Sequence, residues 1–189
     1  MTENINAPNK HGWTPIYMAA AMGHVEIVKI LAPLIENLNA PCKNGRTPIH
    51  QAAWEGNTEI IKMLAPLTEN PNAPDKNGRT PIHGAAWDGK ADIIKILAPL
   101  ADNLNAPDKN GKTPIHEAAL MGHIEIVKIL APLTDNPNSP DKYGNTSIHK
   151  ASSEGHIEIV KILAPLTNNL NAPINLPEMK KSPSNFHIC

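Results

Sequence analysis

One tetrapeptide, repeated at a constant interval, constrains this chain more than any other feature. Three copies are Thr-Pro-Ile-His, as at residues 80–83, while the first copy ends in Tyr17 and the last has Ser147 in place of proline. The copies begin at threonines spaced 33 residues apart: Thr14, Thr47, Thr80, Thr113 and Thr146. Copies in one register indicate a stack of similar units, each packed only against its neighbours. We therefore expect an elongated array and not a globular catalytic domain.

The unit at residues 75–107 illustrates how each copy is expected to fold. An Asn-Gly pair ending at Gly78 predicts a tight turn. Thr80 follows at the position of a helix N-cap, with a proline at the first helical residue. Gly89 predicts the end of this first helix, and an apolar second helix runs from there toward Pro99. The predicted unit is turn, helix, turn, helix and extended link.

A proline near the end of every second helix predicts that this helix is short. The residue before a proline is disfavoured in the α region, so Ala98 is expected to leave the helical conformation. We expect the helix to end about one turn early in each unit, with the following leucine folding back as an apolar plug. These leucines are Leu34, Leu67, Leu100, Leu133 and Leu166.

The motifs resemble the ankyrin repeat. The family's T-P-L-H-x-A-A signature is similar to residues 80–86, which read T-P-I-H-G-A-A, and its glycine between helices is similar to Gly89. The family's I-V-K-L-L run is similar to residues 27–31 and 126–130. The resemblance implies an all-α ankyrin solenoid of helix-turn-helix units with short β-hairpin-like turns.

The resemblance covers about residues 9–173, which is nearly the whole chain. We predict a lead-in at residues 1–8 and, because the repeat pattern fails after Pro173, a mobile tail at residues 174–189. The predicted repeats are about 9–41, 42–74, 75–107, 108–140 and 141–173.

Charge and cysteine content exclude several partner classes. The 17 basic and 18 acidic residues give a formal net charge of −1, which argues against nucleic acid and against an anionic membrane surface as partners. Two cysteines at unrelated repeat positions favour a reducing compartment, cytoplasmic or alternatively nuclear. No apolar run approaches the ~18 residues of a membrane span, and no signal peptide is visible. We expect a monomer.

The positions that vary between units point to function. They are the residue after the histidine and the two residues before the glycine, which share one face of the first helix. The ankyrin resemblance implies that this face and the neighbouring turn tips line a concave groove that binds proteins. The predicted protein or peptide groove is centred on Trp54, Trp87, Leu120 and Met121, rimmed by Arg46, Arg79, Glu55 and Asp88, and extended by Trp13, Met22 and Tyr143. Large apolar, aromatic and arginine side chains are typical of such sites.

Alternatives remain open at this point. The tryptophans alternatively pack over neighbouring units and only stiffen the stack. The chain is alternatively a regulatory or inhibitory subunit of an enzyme on another chain, or a structural or designed scaffold without a natural ligand.

Catalysis, cofactors and metals find no support in the sequence. No nucleophile elbow, phosphate-binding loop or H-E-x-x-H motif is present, so we predict no enzyme activity and no cofactor. Four histidines recur at the 33-residue period without a recurring cysteine or carboxylate ligand beside them, which argues against a metal site. The ankyrin resemblance implies that each instead hydrogen-bonds the threonine and backbone of its turn. They are His50, His83, His116 and His149.

Overall fold

The computed structural model describes residues 4–166, and this part of the chain contains ten α-helices in five consecutive pairs and no β-strand. The predicted tail at residues 174–189 lies outside the described residues. The helices are α1 (Pro15–Ala21), α2 (Val25–Leu31), α3 (Pro48–Glu55), α4 (Thr58–Leu64), α5 (Pro81–Trp87), α6 (Ala91–Leu97), α7 (Pro114–Met121), α8 (Ile124–Leu130), α9 (Ser147–Ser153) and α10 (Ile157–Leu163).

The helices form two layers. The first helices of successive pairs pack against one another, from α1 through α9, and the second helices do the same from α2 through α10. Each of the first four first helices buries an isoleucine and two alanines, such as Ile82, Ala85 and Ala86, and the small alanine side chains allow close helix approach. Each interior second helix buries larger groups such as Ile93 and Leu97. The core is therefore continuous along the array.

The predicted cap of the first helix is confirmed. The backbone N–H of Thr80 donates to His83 Nδ1 at 3.1 Å, and the Thr80 side chain accepts from the His83 backbone N–H in a capping box. Pro81 occupies the first helical position. Gly89 follows the helix in the left-handed conformation, with φ +74°. Local chemistry alone explains both ends of this helix.

The predicted leucine plug is wrong. Ala98 stays helical at φ −57° and ψ −43°, and a 3-10 turn spans Ala98–Leu100, because the fixed φ of proline is compatible with that tighter turn. Leu100 is 44% exposed. Its counterparts in the other units are also exposed: Leu34 (58%), Leu67 (63%), Leu133 (56%) and Leu166 (43%). The chain leaves the first of these turns in an extended conformation, and there Ile35 and Leu38 are buried instead.

The first helix pair is less covered than the interior pairs. Ile27 of α2 is 45% exposed, whereas its equivalents Ile60 and Ile93 are fully buried. The difference arises because α2 has a second helix of a neighbouring pair, α4, on one side only. Burial in this fold is thus supplied mainly by the adjacent pair.

Replacing Gly89 by alanine should destabilise the array more than the same change at Gly155. Both glycines have a left-handed φ, of +74° and +75°, which costs an alanine about 1–2 kcal/mol. A Cβ at Gly89 would also lie 2.7 Å from His123 Cε1 and displace a ring whose Nε2 hydrogen-bonds the Trp87 carbonyl at 2.9 Å. Nothing lies within 4 Å of a Cβ at Gly155.

We expect Gly89→Ala to cost about 2–4 kcal/mol and Gly155→Ala about 1–2 kcal/mol of unfolding free energy, measured by urea denaturation. Equal losses of unfolding free energy for the two substitutions would show that the His123 ring moves aside freely. That result would remove His123 from the contacts that join neighbouring units.

Candidate functional site: the groove face

The groove face is defined here as the exposed side of the first helices together with the adjoining turn tips. Each turn is closed by its own hydrogen bonds. The Asp75 backbone N–H donates to the Arg79 carbonyl at 2.8 Å, and Asp75 Oδ1 accepts from the N–H groups of Asn77 and Arg79 at 2.7 and 3.0 Å. Neighbouring turns are joined by the Lys76 N–H, which donates to the Asn44 carbonyl at 3.1 Å. These bonds set Arg79 at the entrance of α5.

Trp54 lies between two arginines and against the next unit. The guanidinium carbons of Arg46 and Arg79 are each 5.7 Å from its ring centroid, within cation–π range. Its ring also covers Gly84, where an added Cβ would lie 3.2 Å from Trp54 Cε3. Trp54 is therefore half-buried, and part of its surface packs on the neighbouring unit.

Arg79 connects three units. Its guanidinium carbon lies 5.7 Å from the Trp54 centroid and 6.0 Å from the Trp87 centroid, and its Nη2 donates to Glu117 Oε1 at 3.0 Å. The sequence predicted this arginine at the rim of the groove. In the structure it contacts both central tryptophans and so lies at the centre of the aromatic cluster.

Glu117 is part of this cluster and was missing from the predicted site. Its side chain is almost fully buried, and burial raises the pKa of its carboxyl despite the nearby cations Lys112 and Arg79. Its second oxygen, Oε2, has no hydrogen-bond partner within residues 4–166. A signal existed in the sequence, because Glu117 occupies the variable position after the histidine and introduces a carboxylate where Gly84 stands in the preceding unit.

The recurring histidines make structural hydrogen bonds to their turns, as predicted. The Thr80 N–H donates to His83 Nδ1, which makes Nδ1 an acceptor, so Nε2 carries the proton and donates to the Lys112 carbonyl at 3.0 Å. His50 makes the equivalent bonds to Thr47 and Arg79. Burial lowers the pKa of both His50 and His83 to about 4 and lowers the pKa of His116. In residues 4–166, no cluster of three or more histidine, cysteine or acidic side chains is arranged to hold a metal ion.

Comparison with known families agrees with this architecture. The model of the family described as Ankyrin repeats matches the chain three times, over residues 2–75, 66–141 and 101–175. The chain belongs to the ankyrin repeat family. Ankyrin repeats are generally protein–protein interaction modules and are typically non-enzymatic. No curated protein matches the chain. Among the described helices, none has both the length and the apolar character needed to cross a bilayer.

The other central residues of the predicted site lie further along the same face of the ankyrin array. Leu120 is half-buried, and its carbonyl accepts from His156 Nε2 at 3.1 Å, while Met121 is 42% exposed. Glu55 is exposed at the end of α3, and Asp88 is exposed directly after α5.

The outer residues of the prediction do not share the ring contacts of the central ones. The Trp13 ring stacks on Tyr17 at 6.0 Å between centroids and contacts His11, all within the first unit. Tyr143 is exposed at the tip of the last turn, where its ring lies 5.1 Å from Lys142 Nζ. Met22 is 62% exposed at the end of α1. The ring contacts of the ankyrin array thus divide this set into a central cluster and separate ends.

A cleft of about 730 Å³ opens beside the central cluster of the ankyrin array. It runs across three successive turns between the Trp87 ring and the turn tips, and Arg79 and Glu117 form part of its wall. Its remaining lining residues are Asn77, Asp108, Lys109, Asn110, Lys112 and Lys142. The cleft is polar and open to solvent, which suits a peptide segment better than a small apolar ligand.

Proposed function

We propose that this ankyrin array is a non-enzymatic interaction module whose groove face binds a protein or peptide segment. The contact site is the central cluster of Trp54, Trp87 and Arg79, continued by Leu120 and Met121. The observation that carries the proposal is the position of Arg79, which joins two half-exposed tryptophans and a buried carboxylate beside an open cleft. Aromatic and arginine side chains held rigidly in this way lose little entropy on binding and are typical interface hot spots.

We further infer that the array consists of five repeats. Five consecutive helix pairs support this number, since each pair carries one copy of the threonine cap at the 33-residue period. The repeat boundaries proposed from the sequence fall in the turns that precede the first helices.

Truncating both tryptophans should abolish partner binding. For each of Trp54→Ala and Trp87→Ala we expect a loss of about 2 kcal/mol or more, as for a buried aromatic hot spot. The measurement is affinity capture from a lysate of the source cells with the wild-type chain and with the double variant, followed by titration of the purified partner.

Because Trp54 also packs on Gly84, circular dichroism must show that the double variant is folded at the assay temperature. The matched control is Leu34→Ala/Leu67→Ala, which removes two exposed apolar side chains outside the groove face and should leave the affinity unchanged. A partner that binds the folded tryptophan variant as tightly as the wild type would contradict the proposed site. Equal loss in the control would indicate non-specific apolar adhesion.

A further inference from the structure

A row of unpaired lysines follows the turn tips along one edge of the groove face. The five lysines occupy the second position of each turn, at the 33-residue period, and all are exposed: Lys10, Lys43, Lys76, Lys109 and Lys142. We call them the lysine row. The backbone N–H groups of the last three donate to carbonyls of the preceding turns at 2.8–3.1 Å, which holds the side chains in register. The chain's net charge of −1 conceals this local concentration of positive charge.

The lysine row is not neutralised by the protein itself. In the part of the chain that the structure describes, no carboxylate lies within 4 Å of any of these five ammonium groups. The Lys142 ammonium lies over the face of the Tyr143 ring, 5.1 Å from its centroid. By contrast, lysines of the second helices lie against glutamates, as in the Lys29–Glu26 and Lys161–Glu158 pairs at 2.7 Å.

Neighbouring charges of the turns are compensated internally. Asp75 and Asp141 are buried and accept hydrogen bonds from their own turns. Arg46 pairs with Asp75 at 3.5 Å, and Arg79 pairs with Glu117 at 3.0 Å. Among the described residues, unpaired positive charge at this edge therefore belongs to the lysine row and to Lys112, which has no carboxylate within 4 Å.

The opposite side of the groove face carries negative charge. Three of the five first helices end in, or are followed directly by, an exposed carboxylate, at Glu55, Asp88 and Glu154, of which Asp88 pairs with Lys90 at 3.5 Å. Such a helix is about 10–12 Å long, so each of these carboxylates is separated from the turn at the start of its helix by about that distance. Continuous polyanions such as nucleic acids would be repelled on the carboxylate side. A peptide can place different charges on its two sides.

We propose that the segment bound in this groove is an acidic peptide stretch whose carboxylates pair with the lysine row. The proposal rests on the groove function proposed above and names the chemistry of its partner. Successive turns are one helix spacing apart, roughly 8–10 Å, which a chain in the polyproline II conformation covers in about three residues, so that every third side chain returns to the same side. Acidic residues should therefore recur about every third position, with apolar or aromatic groups toward Trp54 and Trp87.

The experiment is selection of random 16-residue peptides, displayed on phage, against the full wild-type chain at ~50 mM salt. Selected peptides should be enriched in Asp and Glu at spacings near three, and they should bind the Trp54→Ala/Trp87→Ala variant weakly. Replacing Lys43, Lys76, Lys109 and Lys142 together by glutamine should weaken a selected peptide about tenfold or more, at about twofold per exposed ion pair. The difference should nearly vanish at ~0.5 M salt.

The matched control replaces four lysines of the second helices, Lys29, Lys62, Lys95 and Lys128, by glutamine. It removes the same charge from the other helix layer and should change affinity by no more than about twofold. Replacing the four turn lysines by arginine should preserve binding.

Other outcomes separate the two proposals. Tryptophan-dependent peptides without acidic enrichment, or equal losses in both glutamine variants, would overturn the acidic-partner proposal and leave the groove function standing. Failure to select any tryptophan-dependent peptide would overturn both. Tight binding of a random single-stranded DNA 20-mer that depends on the lysine row would assign that row to nucleic acid and overturn the proposal.

Discussion

Lowering the pH from 7 to about 4 should destabilise this ankyrin array by several kcal/mol. The cause is the buried histidine row. His50 and His83 have their pKa lowered from 6.5 to about 4, first of all by burial, and the pKa of His116 is lowered for the same reason. Their Nδ1 atoms already accept backbone N–H bonds, so protonation both buries a charge and breaks the cap.

The sign follows from proton binding. Unfolded histidines bind a proton below about pH 6.5, whereas folded His50 and His83 do so only near pH 4. The stabilisation of the folded state by neutral His50 and His83 is therefore complete above pH 6.5 and is lost as the pH falls toward 4. A pKa difference of this size corresponds to roughly 3 kcal/mol for each of the two, a large part of the ~5–15 kcal/mol of a typical domain. Glu117 acts in the opposite direction, because its raised pKa favours the folded state at lower pH.

Urea unfolding followed by circular dichroism at pH 7.5, 6 and 4.5 measures this loss. His83→Gln should lower stability at pH 7.5 and should also reduce the pH dependence. His149 makes the same bond to its threonine but is exposed, so His149→Gln tests the hydrogen bond without the burial. A stability that stays constant from pH 7.5 to 4.5 would contradict the assignment of neutral, buried histidines.

Leu97→Ala should destabilise the array by about 2–5 kcal/mol, whereas Leu100→Ala should change stability by less than about 0.5 kcal/mol. Leu97 is fully buried in the second-helix layer, so truncation removes buried apolar surface and leaves a cavity. Leu100 is 44% exposed on the 3-10 turn three residues later. The pair differs in burial and not in chemistry, which isolates the contribution of packing.

Thermal and urea unfolding of both variants would measure the difference. The outcome matters for the fold, because the sequence predicted the second leucine as a buried plug. A cost above about 2 kcal/mol for Leu100→Ala would restore that prediction. A small cost for Leu97→Ala would instead mean that neighbouring units collapse around the cavity.

Features that depend on contacts a few residues apart were predictable from the sequence. Thr80, Pro81 and His83 define a cap within one helical turn, and Gly89 ends the helix through its own backbone conformation. The prediction that Ala98 leaves the helical conformation was wrong because it considered only such short-range preferences. The rule that disfavours helix before proline is a local preference, and packing of the second helices overrides it in each of the first four units, where the residue before the proline stays helical.

The binding role of the groove face stays a prediction. Helical periodicity placed Trp54 and Trp87 on one face of the first helices, and Arg79 was added from the neighbouring turn tip. Their arrangement was not predictable, because Arg79 contacts Trp54, Trp87 and Glu117, which lie in three different units. Trp54 and Glu117 are 25 and 38 residues from Arg79 in the chain, and such separations carry no local signal of which contact forms.

The sequence by itself determined the period, the two helices of each unit, their caps and which residues share the variable face of the first helix, because each depends on interactions within one unit or between identical neighbours. Only the tertiary structure decided which side chains the stack covers. It exposed Leu34 and Ile27. It also buried Glu117 and, among residues 4–166, left the lysine row without a carboxylate within 4 Å. Burial and charge pairing depend on the surface that an adjacent unit presents, and that surface exists only after the units have packed.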